Sequence, residues 1–295
     1  MVKDSLENHL KVRVQEVFEP FEILEGADGV LYAKDGICSP MQSNSIEVVK
    51  SLLDSGVSPD KVLDYQDYFD KKIFIVRDPR DRFVSQIFYR WHWAHRPDKE
   101  KFERTLRLVR YKELNPKDVP TVFLFNQSPS FYPVLAKKIS ETYDNVLRFL
   151  KEINKDWLII KYEDLIDGDI EKLEGYLSFS IKKNVSVDKN HAGVVRSKAH
   201  GNWREWYSKE DVVFLKPIFK KYIKYLKYDF SDWRLEYPNS LLKDHGSEYM
   251  LRIFSGGNLE SKNTLESLDV SCKNGTISSG LRIRFSKIFR SIKRK

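Results

Sequence analysis

Residues 72–85 read KIFIVRDPRDRFVS. Lys72 to Val76 is a compact apolar run of strand length, broken by the charged pair Arg77-Asp78, and Pro79 then supplies a residue suited to the first turn of a helix. The helix is expected to run to about Arg96, just before Pro97. Two other short apolar runs match this strand: VLYAK at Val30 to Lys34, and WLIIK at Trp157 to Lys161. Helical periods separate them. Ile46, Val49, Leu52 and Leu53 share one face of a segment that ends at Ser55-Gly56, and residues 98–155 repeat at helical spacing through Phe102, Leu106 and Val109, then Val134, Ile139, Tyr143 and Val146. Shorter helices are expected at Ile170 to Leu177 and at Val212 to Tyr228. Buried-type strands alternating with helices predict an α/β protein of three layers, with a central parallel sheet flanked by helices. No internal repeat is visible.

The chain has 295 residues, 32% of them charged and 41% apolar, with a formal net charge of +8. That composition excludes a wholly disordered chain. Seven bases and no acid lie between Leu281 and Lys295, so the preceding residues carry an excess of only +1. An extended basic face for a specific nucleic acid is therefore not expected, and any anion site in the body has to be local. Residues 236–280 are richer in Ser, Asn and Gly and read as a loosely packed extension or linker. The expected organisation is a main domain over residues 1–235, the extension over 236–280, and a basic tail over 281–295. Cys38 and Cys272 are far apart with no Cys or His at ligand spacing, which argues against a disulfide framework and a structural zinc site. No run is long and apolar enough for a membrane span or a signal-peptide core, so a cytoplasmic protein is expected.

Three segments are candidate anion sites, because helix starts and glycine-containing loops present backbone amides to phosphate. The first is the loop after VLYAK, which lacks the GxxxxGK[ST] signature of ordinary nucleotide hydrolases. In the second, Arg77 leaves its strand at the carboxyl end, where open sheets bind ligands, and Ser85 lies about two helical turns further on. The plainer reading pairs Arg77 with Asp78 or Asp81 and makes Ser85 a packing residue. The third is VVRSKAHGNWREW, where Arg196, Lys198, His200 and Arg204 crowd around Gly201. Arginine grips phosphate through paired donors and glycine lets backbone approach. The plainer reading is a solvated basic loop anchored by Trp203.

In order and spacing these segments resemble the sulfotransferase family, which transfers a sulfuryl group from 3′-phosphoadenosine-5′-phosphosulfate (PAPS). IVRDPRDRFVS is similar to the family's strand-turn-helix around the 3′-phosphate, with Arg77 and Ser85 in register. KYEDL, Lys161 to Leu165, is similar to its strand-end Tyr-Glu-Asp-Leu and places Tyr162 near adenine. RSKAHGNWR is similar to its late Arg-Lys-Gly-x-x-Gly-Asp-Trp-Lys loop, with Arg196, Gly201 and Trp203 in register and the second basic group moved to Lys198. The resemblance covers roughly residues 28–226. It implies a P-loop-like sulfotransferase fold, PAPS as cosubstrate, adenosine 3′,5′-bisphosphate as product, and no metal.

The first loop departs from the family's Pro-Lys-Ser-Gly-Thr-Thr, and two registers fit. One keeps a lysine, Lys34, but sets Asp35 beside the anion. The other aligns Gln42, Ser43, Asn44 and Ser45 with Lys-Ser-Gly-Thr and puts a neutral amide at the lysine position. Capping does not decide between them. One lost donor to a developing oxyanion typically costs about 10² to 10³ in rate. The implied reaction is in-line attack of an acceptor hydroxyl, and a base has to take its proton. Glu47, Asp60, Asp64 and Asp67 are available, with Asp64 carried as the candidate.

His92 and His95 lie three residues apart on the expected helix after Arg77. With Trp91 and Trp93 they either line an acceptor pocket or mark the edge of the core. In the tail, Leu281, Phe285, Ile288 and Ile292 recur at helical spacing among bases, the pattern of a helix lying on an anionic membrane, or else a plain basic tail. The expectation is a PAPS-dependent sulfotransferase acting on a hydroxyl of a carbohydrate or lipid-linked glycan, peripheral at a membrane surface. The alternatives are a relative that binds the nucleotide without transfer, and a small-molecule kinase.

Overall fold

Short apolar runs flanked by charged turns form the strands, and they pair parallel. The computed structural model describes residues 15–18, 31–34, 72–95, 97–181 and 193–256, the first two stretches as backbone only. Strand β1 (Gln15–Phe18) pairs parallel with β2 (Leu31–Lys34), Gln15 standing opposite Leu31 and Phe18 opposite Lys34. Strand β3 (Lys72–Val76) pairs parallel with a strand more than 80 residues later, β4 (Trp157–Lys161), from Lys72 opposite Trp157 to Val76 opposite Lys161. The chain is thus a mixed α/β protein, rich in helix. The three expected strands are present, and β1 is an additional one. The first loop, the helix expected from Ile46, and Gln42, Ser43, Asn44, Ser45 and Asp64 lie outside the described residues. So do the other candidate bases, the side chain of Lys34, and the tail from Leu281.

Between β3 and β4 come helices α1 (Pro79–Tyr89), α2 (Lys99–Leu114), α3 (Thr121–Phe125) and α4 (Tyr132–Glu152). After β4 follow α5 (Tyr162–Asp167), α6 (Glu171–Leu177), α7 (Trp203–Trp206), α8 (Lys209–Tyr225) and α9 (Ser247–Phe254). Local capping sets several of these bounds. Asp98 accepts the Lys101 amide at 2.8 Å to start α2, and Ser208 and Asp211 form a reciprocal capping box on α8. Helix α1 stops at Tyr89 rather than near Arg96, because Trp91 turns inward to meet Phe102 edge-on, 5.7 Å between ring centroids. His92 and His95 therefore stand in a turn and a short 3₁₀ segment, not on a helix.

The chain divides into two compact units, residues 1–78 with 138–186, and residues 79–137 with 187–295. In the first, Ile160, Ile170, Leu173 and Ile181 form a core that Ile73, Leu158, Leu165 and Leu177 extend. Phe149 of α4 packs on Phe74 of β3 and Trp157 of β4. The strands are not buried throughout: Ile75 and Ile159 are each 39% exposed, one on each face of the pleat.

In the second unit Phe83, Phe88, Phe102, Trp203, Trp206, Phe219 and Tyr222 are buried. Two ionisable groups are buried with them. Asp211 accepts the backbone amides of Thr121 (2.7 Å), Val122 (2.8 Å) and Ser208 (2.7 Å), and Lys112 donates to the carbonyls of Pro116 (2.9 Å) and Val119 (2.5 Å). Burial pulls the Lys112 ammonium down to about 8 and pushes Asp211 up. The Asp211 bonds satisfy amides at the start of α3 and at the cap of α8, and the Lys112 bonds take up two carbonyls of the connection between α2 and α3. The start of the segment expected to be a loose extension is packed here, with Leu241, Ser247, Tyr249, Met250 and Ile253 buried. Among the described residues no helix is long and apolar enough to cross a membrane.

Candidate functional site

The register of β3 on β4 brings two turns side by side at the carboxyl ends of the strands. Arg77 leaves β3 and Tyr162 leaves β4 one residue beyond the last paired positions, and the Arg77 guanidinium carbon lies 4.3 Å from the centre of the Tyr162 ring. That is cation–π distance, and it fixes the direction of the arginine fork. The Asp78 amide donates to Glu163 Oε1 at 2.9 Å, tying the two turns together. Two residues that the family resemblance assigns to the cofactor, Arg77 and Tyr162, are thus in contact within the first unit.

The second unit holds the other candidates. Helix α1 presents Asp81, Ser85 and Phe88 at i, i+4 and i+7, and these share one face. Asp81 is buried, and its carboxylate accepts the Gly201 amide (2.6 Å, Oδ2) and the Trp203 amide (3.1 Å, Oδ1). Gly201 adopts a left-handed backbone, φ +82°, and no atom lies within 4 Å of where a Cβ would stand. Glycine is needed there for the turn and not for space. At the other end of the same face, the Arg196 guanidinium lies 5.5 Å from the Phe88 ring centre and donates to the His245 carbonyl at 3.2 Å. The late loop therefore runs along α1 between two fixed points, and Ser85 lies between them on the helix. Lys198 and His200 are exposed, and Ser197 accepts from the Asn202 side-chain amide at 2.9 Å.

Not every basic residue of these motifs faces outward for a ligand. Arg204 makes a two-pronged bond to Asp232, 3.0 and 2.6 Å, and its guanidinium lies 4.5 Å from the Trp203 ring centre. That fork is the main reason Asp232 is held down at about 2. Arg80 is buried, stacked 4.4 Å from Trp203 and donating to the Asp232 carbonyl at 2.5 Å. Arg80 joins residues 229–232 to α1, Arg204 joins Asp232 and the Arg234 carbonyl to the late loop, and Glu236 donates its amide to the Arg204 carbonyl at 2.9 Å. Of the four bases crowded in the loop, Arg204 is structural.

Asp81 is the site residue that sequence reasoning missed. The sequence offered it as a partner for Arg77, and its amide partners are some 120 residues away. Its only local signal was a carboxylate on the helix face that also carries Ser85. Trp91 belongs to the core, whereas Trp93 is 57% exposed beside His92. Burial and the neighbouring His95 both lower the His92 pKa. Among the described residues no group of three or more His, Cys, Asp and Glu side chains is placed to hold a metal ion. No protein-family model, curated protein or solved structure matches the chain.

Proposed function

We propose that the protein is a PAPS-dependent sulfotransferase with a three-layer, P-loop-like fold, acting on a hydroxyl of a carbohydrate or lipid-linked glycan. The observation that carries this reading is the fastening of the Arg196–Lys198–Gly201 loop along the Ser85 face of α1 through Asp81. A buried carboxylate spent on two backbone amides of a basic loop leaves Arg196 and Lys198 as the charges of that loop, apart from Arg204 and its own acid. Arg77, set on Tyr162 at the strand ends, supports it: an aromatic face beside a fixed guanidinium suits a base and a phosphate.

These residues fit a nucleotide carrying phosphates at two ends of its ribose. In the first unit Arg77 would grip a phosphate, with Tyr162 against the adenine. In the second, Ser85 of α1 and Arg196 and Lys198 of the loop whose turn Gly201 shapes would be the anion-binding groups. Lys34 or the residues from Gln42 to Ser45 would take the phosphosulfate. The cosubstrate supplies a sulfuryl group on a good leaving group. Transfer forms a bond from the acceptor oxygen to sulfur as the bond from sulfur to the bridging oxygen breaks, with the electron pair departing on adenosine 3′,5′-bisphosphate. The acceptor proton passes to a carboxylate, for which Asp64 is the candidate. Positioning and neutralisation of charge supply the acceleration, as in phosphoryl transfer.

Calorimetric titration with adenosine 3′,5′-bisphosphate, and separately with ATP and magnesium, tests the assignment. The bisphosphate should bind, and Arg77→Ala and Arg196→Ala should each weaken it by roughly 10- to 100-fold, the range of a lost charge-assisted bond. Preference for ATP with magnesium would overturn the reading in favour of a kinase. Radiolabelled sulfate transfer to a panel of glycans then distinguishes an enzyme from a relative that only binds the nucleotide.

A further inference from the structure

We infer that residues 241–254 form a brace that positions the late loop, with Arg252 as its principal positioning residue, so that a segment well after the family-like region belongs to the anion site. The inference rests on the proposed function for the identity of the anion, and on hydrogen bonds alone for the brace.

The root of the brace is fixed on α2. Glu113 is buried and takes two bonds from Ser247, the amide at 2.5 Å and the hydroxyl at 2.8 Å, while its own carbonyl accepts the Leu241 amide at 2.8 Å. Gly246 sits so close that a Cβ there would lie 2.3 Å from Glu113 Oε1 and 2.9 Å from the Trp206 ring. Any larger residue would force this joint apart. At the other end of α9, Phe254 stacks on Phe102 with ring centroids 3.8 Å apart, and Met250 and Ile253 are buried between the two ends. The helix therefore has little freedom to move on α2.

From this fixed helix, side chains reach three successive carbonyls of the late loop. Tyr249 Oη donates to Val194 at 2.8 Å, Arg252 Nε to Gly193 at 3.0 Å, and Arg252 Nη2 to Val195 at 3.2 Å. Residues 193–200 carry no helix or strand, so their carbonyls need partners from elsewhere. The planar guanidinium fork offers two donors, and it bonds the carbonyls of Gly193 and Val195 on either side of the one that Tyr249 takes. The next residue is Arg196, whose side chain is received by the His245 carbonyl from the same brace. The brace thus fixes both the backbone before Arg196 and the guanidinium itself. A charge held in place before the ligand arrives needs no ordering on binding.

Arg252 is itself exposed, so it can be changed without opening the core. The test uses the full chain with Arg252→Ala and Arg252→Lys, read by bisphosphate calorimetry, by hydrogen exchange over residues 193–200, and by thermal midpoint. Both variants should bind the bisphosphate about 5- to 20-fold more weakly and exchange faster in the loop, with an unchanged midpoint. Lysine keeps the charge but has no fork. If Arg252→Lys binds as tightly as wild type, Arg252 contributes charge and not position, and the inference is overturned. Unchanged loop exchange in both variants also overturns it. If the wild-type chain binds no bisphosphate, the functional reading fails, and the exchange measurement still decides the brace by itself. Tyr249→Phe, which keeps the buried ring and removes one donor, should speed loop exchange in the same direction.

Discussion

Replacing Asp81 by Asn tests the clamp between helix α1 and the late loop with almost no change of shape. The carboxylate accepts the Gly201 and Trp203 amides at 2.6 and 3.1 Å from a buried position. An amide side chain offers only one acceptor oxygen, so one of those bonds survives in weaker, uncharged form, and the other backbone N–H faces an NH₂ group. A bond to a charged group contributes about 1.5–3 kcal/mol, and an unmatched buried donor costs about 1–3 kcal/mol. Removing the buried charge returns part of this. The net expectation is a loss of about 2–3 kcal/mol, which a domain stable by about 5–15 kcal/mol survives folded. Urea unfolding followed by tryptophan fluorescence measures it directly, since Trp203 and Trp206 are buried beside the clamp. Hydrogen exchange at Gly201 and Trp203 should accelerate in parallel. A midpoint change worth less than about 0.5 kcal/mol, the range of an ordinary surface substitution, would refute the reasoning.

Gly201→Ala should cost about 1–2 kcal/mol in the same urea assay, the price of a left-handed backbone for an L-residue, because the added methyl meets nothing within 4 Å; wild-type stability in that variant would show that the loop does not need its φ of +82°. The Arg204–Asp232 pair makes a pH-dependent contribution. Asp232 is held at about 2, below its unfolded value of 3.8, so its stabilisation is present above the unfolded pKa and is lost as pH falls through about 2. The stability difference between wild type and Asp232→Asn should therefore shrink between pH 5 and pH 2, and a difference that stays constant over that range would contradict the assignment.

Local pattern made much of this protein legible. The apolar runs at 72–76 and 157–161 are strands because five apolar-rich residues between charged turns have few alternatives, and the periods at 99–114 and 132–152 are helices because one face of each repeats over several turns. Composition misled at 241–254. A Ser- and Gly-containing stretch reads as linker, yet Gly246 and Ser247 are there because Glu113 leaves room for nothing larger and needs a hydroxyl. The end of α1 was equally hidden, since Trp91 stops it by packing on Phe102 and not by any breaker residue.

The candidate site divides the same way. By itself the sequence singled out the candidates, Arg77, Ser85, Tyr162, Arg196, Lys198 and Gly201, because residue type and order are enough to suggest an anion site. Only the tertiary structure decided their employment. Arg80 and Arg204 stand in the same motifs as Arg77 and Arg196, with the same charge, and they hold residues 229–236 instead. Asp81, read as a rival for Arg77, is the anchor of the late loop. The reason is physical: what a charged group does depends on the partners that burial sets against it, and those partners lie about 120 residues away for Asp81 and 28 residues away for Arg204.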